Sequence, residues 1–210
     1  MNVNEAIKTR RATRAFEAGA KLTDSELREL LSAVALAPSS FNMQNRHVVA
    51  VQSQEIKDKI QAAAWDQEHV GSAAAVFVFA GNLAAHHNAE RFLRDAPGPV
   101  QELFKPMVMD FYEGKESLQR DESCRTVGMA AMNLMLRAQE MGFNSCPMIG
   151  FDPVQVAEIV GLDETHPALM LVAVGKGTGE TKGRLGLLNL EEIVSVDHFD
   201  NRSITGAIDA

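Results

Sequence analysis

The sequence predicts an α/β or α+β sandwich, and three observations carry that prediction. Helical and strand-like patterns alternate along the first eighty residues. Residues 73–80 (AAAVFVFA) and 168–174 (ALMLVAV) are continuously apolar, as strands covered on both faces are. Residues 117–141 form one long helical pattern that is apolar nearly all round, so it is buried on more than one side.

The elements follow in order. Asn2 caps a first helix running to about Thr9, and Glu5 is placed to reach back to the cap. Arg10 and Arg11 fall at its C-terminal end, where the helix dipole favours cations, and Arg14 lies beyond it. Thr23-Asp24-Ser25-Glu26 is a capping box, followed by Leu27, Leu30, Leu31 and Val34 at helical spacing until Pro38 ends the helix. Valine-rich residues 47–52 read as a buried strand, and Ser53 caps a helix carrying Ile56, Ile60 and Ala64. Residues 83–115 predict a helical excursion over the core, broken at Ala96-Pro97-Gly98-Pro99 and interrupted by Pro106. Its adjacent His86 and His87 point about 100° apart on a helix. They therefore read as surface residues that cannot share a metal.

In the long helix Val127, Ala131, Leu134, Ala138 and Met141 are spaced four, three, four and three apart. Met129, Met132, Met135 and Leu136 fill most of the remaining face, and Gly142 closes the helix. Small residues Gly128, Ala130 and Ala131 allow close approach of another helix. The helix is therefore expected between the sheet and a second subunit of a homodimer. A short apolar segment, residues 146–151, precedes a helix started by Asp152 and Pro153 and ended by Gly161. Residues 192–196 read as a last strand, within a C-terminal extension of about residues 190–210. The length of 210 residues predicts a single domain over 1–210.

Composition narrows the function. The formal net charge is -8, which argues against a nucleic-acid partner with its need for a basic face. No apolar run approaches the ~18 residues that would span a membrane. The first residues lack the apolar core of a signal peptide, so a cytoplasmic protein is expected. Cys124 and Cys146 form neither a disulfide framework nor a metal spacing. Against this acidic background Arg10-Arg11-Ala12-Thr13-Arg14 gathers three cations within five residues, a pattern suited to an anion. A second basic pair, Lys182 and Arg184, lies near the other end. The two clusters can meet on one phosphate only if the fold joins the chain ends. The polar loop Pro38-Ser39-Ser40-Phe41-Asn42-Met43-Gln44 adds amides and hydroxyls between an apolar helix and an apolar strand.

No nucleophile elbow, Walker loop or GxGxxG follows a strand, and the six histidines are scattered or adjacent. Gly175-Lys176-Gly177-Thr178-Gly179 lacks phosphate-loop spacing. An anion site without a protein nucleophile suits a bound cofactor that carries the chemistry itself.

Four segments resemble the FMN-dependent nitroreductase family: residues 10–16, residues 37–44, residues 141–152 and Lys182-Gly183-Arg184-Leu185. They stand in the family's order and span nearly the whole chain. The resemblance implies a central, mostly antiparallel sheet flanked by helices, with the long helix at the interface of an intertwined homodimer holding two FMN. It implies that Arg10, Arg11, Ala12 and Arg14, with Lys182 and Arg184, line the FMN phosphate and ribityl chain. Bidentate guanidinium suits such a phosphate. Pro38, Ser39, Ser40 and Asn42 would come from the partner subunit. Gln44 would reach the ribityl or pyrimidine edge from the near side, and Gln67 would contact the pyrimidine end. Pro147, Met148, Ile149 and Gly150 would run beside the ring, with a backbone N–H of Ile149 or Gly150 near flavin N5.

There are departures from the family pattern. Ala12 stands where many relatives have serine, and Asn45-Arg46 replaces the usual Pro-Trp. Ile149 stands where some carry glutamate, and Gly183 replaces a frequent serine. Phe104, Phe111 and Tyr112 read as core packing rather than a flavin cover. The implied activity is ping-pong hydride transfer from NADH or NADPH, through FMN, to a small-molecule acceptor such as a nitroaromatic or quinone. The alternatives are a flavin-binding sensor or carrier without turnover, and a variant reducing enals, aldehydes or halogenated aromatics.

Overall fold

The structure is a computed structural model and describes residues 1–179 and 183–208. Four strands, β1 (Arg46–Val51), β2 (Ala75–Gly81), β3 (Asn144–Met148) and β4 (Ala168–Gly175), form one antiparallel sheet in the order β1-β2-β4-β3. Side chains alternate along a strand, and in β2 both faces are covered. Phe77 and Phe79 enter one core, Val76 and Val78 the other, and all four are fully buried. The phenylalanine side packs against α2 (Asp24–Ala35) and α7 (Glu116–Glu140) through Leu30, Val34, Val127, Ala131 and Leu134. The valine side packs against α3 (Gln54–Ala63), α4 (Glu68–Ser72) and α8 (Pro153–Val160) through Ile60, Val70 and Val156. The result is the expected α+β sandwich, with the sheet between two helical layers.

The capping signals at Asn2, Thr23 and Asp152 form as the sequence dictates, whereas Ser53 stands at the N-cap of α3 without a side-chain capping bond. Asn2 and Glu5 cap α1 (Val3–Thr9) reciprocally, with both hydrogen bonds at 2.9 Å. Thr23 and Glu26 do the same for α2. Asp152 accepts from the Val154 and Gln155 N–H groups at the start of α8. Gly81 has a packing role: a Cβ there would sit 2.7 Å from that of Ser123. The missing side chain lets α7 lie close against β2.

Five expectations need correction. β1 is only half-buried along Val48, Val49 and Ala50, because it is an edge strand and the helices centre on β2 and β4. Pro106 does not break α6 (Gly98–Tyr112); the helix continues through it, since Phe104, Val108 and Tyr112 hold its inner face in a third apolar cluster with α5 (Ala89–Leu93). Residues 192–196 are not a strand. Leu190–Ile193 form a short helix, α9, because Asn189 donates its N–H to Glu192 (2.7 Å) as a capping box. Ala130 and Ala131 face the sheet-side core, with Ala131 at 1% exposure, so they are not the open small residues of α7. The more open face carries the exposed Met129 with Gly128 and Leu136 partly exposed beside it, and a Cβ on Gly128 would meet nothing within 4 Å.

The last correction concerns His86 and His87. They sit in a single 3-10 turn, Ala85–His87, and only His87 is a surface residue. The tighter turn and side-chain rotation bring the two rings to 4.0 Å between centroids. Burial first, then the neighbouring ring, push the His86 pKa below its ordinary value.

Candidate functional site

After α1 the chain runs along the outer edge of β3. The Thr13 N–H donates to the Ser145 carbonyl at 3.0 Å, and Phe16 pairs with Gly177 beyond β4. This docking fixes where the arginines stand. Arg10 is half-buried, and its pKa lies below the ordinary value because of burial, then Arg184, then Arg11. The two ends of the chain thus bring cations together. Arg184 also donates to the Ile7 carbonyl at 3.3 Å. Arg11 donates to the carbonyls of Lys8 and Arg10. Burial raises the Cys146 thiol pKa against the opposing Arg14 charge, and the same Arg14 charge adds to burial in lowering the His69 pKa. Lys182 lies outside the described residues.

Among the described residues none of Arg10, Arg11, Arg14 and Arg184 forms an ion pair with a carboxylate. Unpartnered buried polar atoms cluster on the same ground: Arg10 Nε, Thr13 Oγ1, Ser145 Oγ and His69 Nε2. A buried polar group without a partner costs about 1–3 kcal/mol. Four of them beside uncompensated guanidinium groups mark a place that an anionic, hydrogen-bonding ligand would complete. Thr13, Ser145 and His69 carry no distinctive spacing in the sequence, and only the register of residues 12–16 against β3 reveals them.

At the other end of β3, Pro147 and Met148 are half-buried and Ile149 is exposed. Gln67 spends its amide N–H groups on the Gly150 and Ala64 carbonyls, at 2.8 and 3.0 Å. Its own carbonyl oxygen is the atom left for a ligand. A Cβ on Gly150 would come within 3.1 Å of the Trp65 ring. Trp65 and Asp66 have positive φ, 55° and 56°, so this corner is held in a conformation non-glycine residues seldom take. The Ile149 and Gly150 N–H groups make no turn or loop hydrogen bond among the described residues.

The loop at residues 38–44 meets other neighbours. Ser39 Oγ accepts from the Gln44 N–H at 2.8 Å, and Asn42 donates to the Phe92 carbonyl at 3.1 Å. The Tyr112 hydroxyl donates to Ser40 Oγ at 2.9 Å, while the Ser40 N–H reaches Glu122. Phe41, Asn42 and Gln44 all have positive φ. The Gln44 amide turns back to Asn42, and Pro38 is exposed. The Asn45-Arg46 departure is explained by packing. Asn45 bridges to Ser123 and Thr126 of α7, and Arg46 donates to the Ala35 and Ala37 carbonyls at the end of α2. Phe41 stacks edge-on against Phe104, Phe111 and Tyr112, of which Tyr112 is buried and Phe111 half-exposed.

The fold therefore brings Arg10 and Arg11 together with Arg184, sets Arg14 further along β3 against Cys146 and His69, and brings Gln67 together with Gly150. It holds Ser40 and Asn42 against α5, α6 and α7 instead, with Ser39 and Gln44 bonded inside the loop.

The architecture is a three-layer α+β sandwich whose cationic edge has no acid partner among the described residues. Residues 7–176 match the Nitroreductase family, and the chain belongs to that family. It is similar to Protein DrgA of Synechocystis sp., 36% identical over 185 residues and 88% of each chain. It is also similar to MhqN of Bacillus subtilis, by designation a candidate NAD(P)H nitroreductase, 35% identical over 84% of this chain and 89% of that one. A candidate nitroreductase of Exiguobacterium sibiricum, solved in complex with FMN, superposes with a TM-score of 0.87 at 26% identity, covering 94% of this chain and 98% of that chain. No helix of the described residues is long and apolar enough to cross a membrane.

Proposed function

We propose that this FMN-dependent oxidoreductase of the nitroreductase family takes reducing equivalents from NAD(P)H and delivers them to a nitroaromatic, a quinone or a similar electron-poor acceptor. The observation that carries the reading is the convergence of Arg10, Arg11 and Arg184, with Arg14 further along β3, all without acid partners among the described residues and beside orphaned hydrogen-bonding atoms. Guanidinium groups bind a phosphate dianion in charge-assisted pairs. In this reading they hold the FMN phosphate, with Lys182 adding a charge, and the Thr13 and Ser145 hydroxyls complete the polar lining. Ala12 adds no hydroxyl, so the phosphate relies on the arginines.

FMN, once bound, supplies hydride transfer between nicotinamide and acceptor. The protein's part is position and charge. Gln67 offers its carbonyl oxygen to the polar end of the ring, and the uncommitted N–H groups of Ile149 and Gly150 stand ready as donors along the Pro147, Met148, Ile149 and Gly150 run. Donors placed where negative charge grows stabilise the reduced state.

The remaining polar set, Pro38, Ser39, Ser40, Asn42 and Gln44, contacts none of these groups within one chain. We assign Pro38, Ser39, Ser40 and Asn42 to the site of a second copy. Support comes from the apolar face of α7 left partly open at Gly128, Met129 and Leu136. It comes also from the C-terminal arm, residues 183–208, where Leu185, Leu188, Ile193 and Phe199 are exposed. Apolar surface of that kind is characteristic of an interface.

Purified protein should be yellow or should take up FMN, and anaerobic addition of NADH or NADPH should bleach the flavin absorbance. Colourless protein without affinity for FMN overturns the reading. Flavin that stays oxidised under either nicotinamide turns it into a binding protein without turnover. Acceptor screening then separates nitroaromatics and quinones from enals and halogenated aromatics.

A further inference from the structure

Outside the flavin site, the end of the helical excursion gathers three metal-binding side chains. His86 Nε2 lies 3.2 Å, and His87 Nε2 2.8 Å, from the same oxygen, Oε2 of Glu113. The three potential ligand atoms lie within 4.8 Å of one another. In a tetrahedral zinc site, ligand atoms about 2.0–2.1 Å from the metal stand roughly 3.3 Å apart. Small side-chain movements would open room for an ion between the three.

We propose that His86, His87 and Glu113 form a binding site for a divalent transition-metal ion of the zinc class, separate from the flavin. Two imidazoles and one carboxylate select such an ion over magnesium or calcium, which prefer all-oxygen ligation. The site is partly built before any ion arrives. The His86 side chain is only 3% exposed and so is already fixed, leaving the exposed His87 and Glu113 to adjust. Exposure of His87 and Glu113 leaves a fourth position open to water. A bound ion would tie the 85–87 turn to the end of α6. Glu113 directly follows Tyr112, whose hydroxyl holds Ser40, so the ion would brace the support of the 38–44 loop.

The test is a zinc titration of tag-free, full-length, flavin-loaded protein against a chromophoric chelator. One zinc per chain is expected. Glu113→Gln and His87→Ala change exposed residues, and each should weaken zinc binding by roughly tenfold or more. His47→Ala, at an exposed histidine elsewhere, should leave the affinity unchanged. Flavin content equal to that of the parent protein shows that each variant is folded. Absence of stoichiometric zinc uptake by the parent protein overturns the proposal. So does parent-like affinity in either Glu113→Gln or His87→Ala, the result expected if both rings only donate hydrogen bonds to the carboxylate.

Discussion

The arginine segment and the 38–44 loop are both polar, and they are polar in opposite ways. Around Arg10, Arg11, Arg14 and Arg184 the charges have no acid partner among the described residues, and several buried atoms there have no hydrogen bond. Around Ser39, Ser40, Asn42 and Gln44 the principal polar groups are answered within the chain, and the cost sits in the backbone instead. A left-handed non-glycine residue costs about 1–2 kcal/mol. Three such residues are offset by hydrogen bonds worth about 0.5–1.5 kcal/mol each and by the packing of Phe41. The first region is electrostatically unfinished and waits for a ligand. The second is geometrically finished and offers a rigid shape. They touch different neighbours, and under the proposed reading they meet on one flavin when two copies of the chain share it.

The strongest way to break that comparison is to separate the two regions between chains. Arg14→Ala and Ser39→Trp should each lose most of the bound flavin. Mixed and reassembled, they should regain part of it, because one site of each heterodimer is built entirely from unmodified segments. No recovery after subunit exchange would place both regions in one chain's own site. Gly128→Arg should have a comparably large effect, since the side chain enters open space on one copy and would collide only with a second. A sedimentation profile identical to the parent's would rule out the α7 interface. Ala131→Arg is the wrong probe, because Ala131 is core and the substitution would unfold the chain.

Single charge deletions come next. Arg11→Ala or Arg184→Ala should weaken FMN binding by about 1.5–3 kcal/mol per lost charged hydrogen bond, roughly 10- to 150-fold in Kd. The loss should shrink at high salt. Unchanged affinity would remove these residues from the phosphate. Tyr112→Phe addresses the finished region alone. It deletes the hydroxyl that supports Ser40 and should cost about 1 kcal/mol in denaturant unfolding. An unchanged midpoint would mean that the loop does not depend on that bond.

The smallest effect lies outside both regions. Hydrogen bonds from His166 and Thr165 hold the Asp163 pKa at about 2, below the unfolded value of 3.8. A depressed carboxylate stabilises the fold above the unfolded pKa and ceases to do so as pH falls through the folded one. Asp163→Asn should therefore flatten the acid limb of stability between about pH 4 and pH 2. Flavin affinity at neutral pH should not move.

Much of the fold was legible. Capping boxes at Asn2 and Thr23, the apolar runs of β2 and β4 and the length of α7 are local signals, and local physics decided them. What failed depended on three-dimensional placement. Helical spacing gave α7 an apolar surface all round, but only the position of the sheet tells that Ala131 is inside and Gly128 outside. Adjacent histidines diverge on an α-helix, whereas a 3-10 turn followed by the return of α6 brings His86, His87 and Glu113 together. The cationic cluster was visible as composition. The orphaned hydroxyls of Thr13 and Ser145 appear only once residues 12–16 are laid along β3. The α9 error was avoidable, since Asn189 and Glu192 carry the same capping signature as Thr23 and Glu26.

The exposed C-terminal arm carries Arg184 to the opposite end of its own chain while burying almost none of its leucines. If a second copy covers those leucines, assembly and cofactor retention obey one law of mass action. Diluting the enzyme would then drain its colour, and adding FMN would lower the protein concentration at which subunits part.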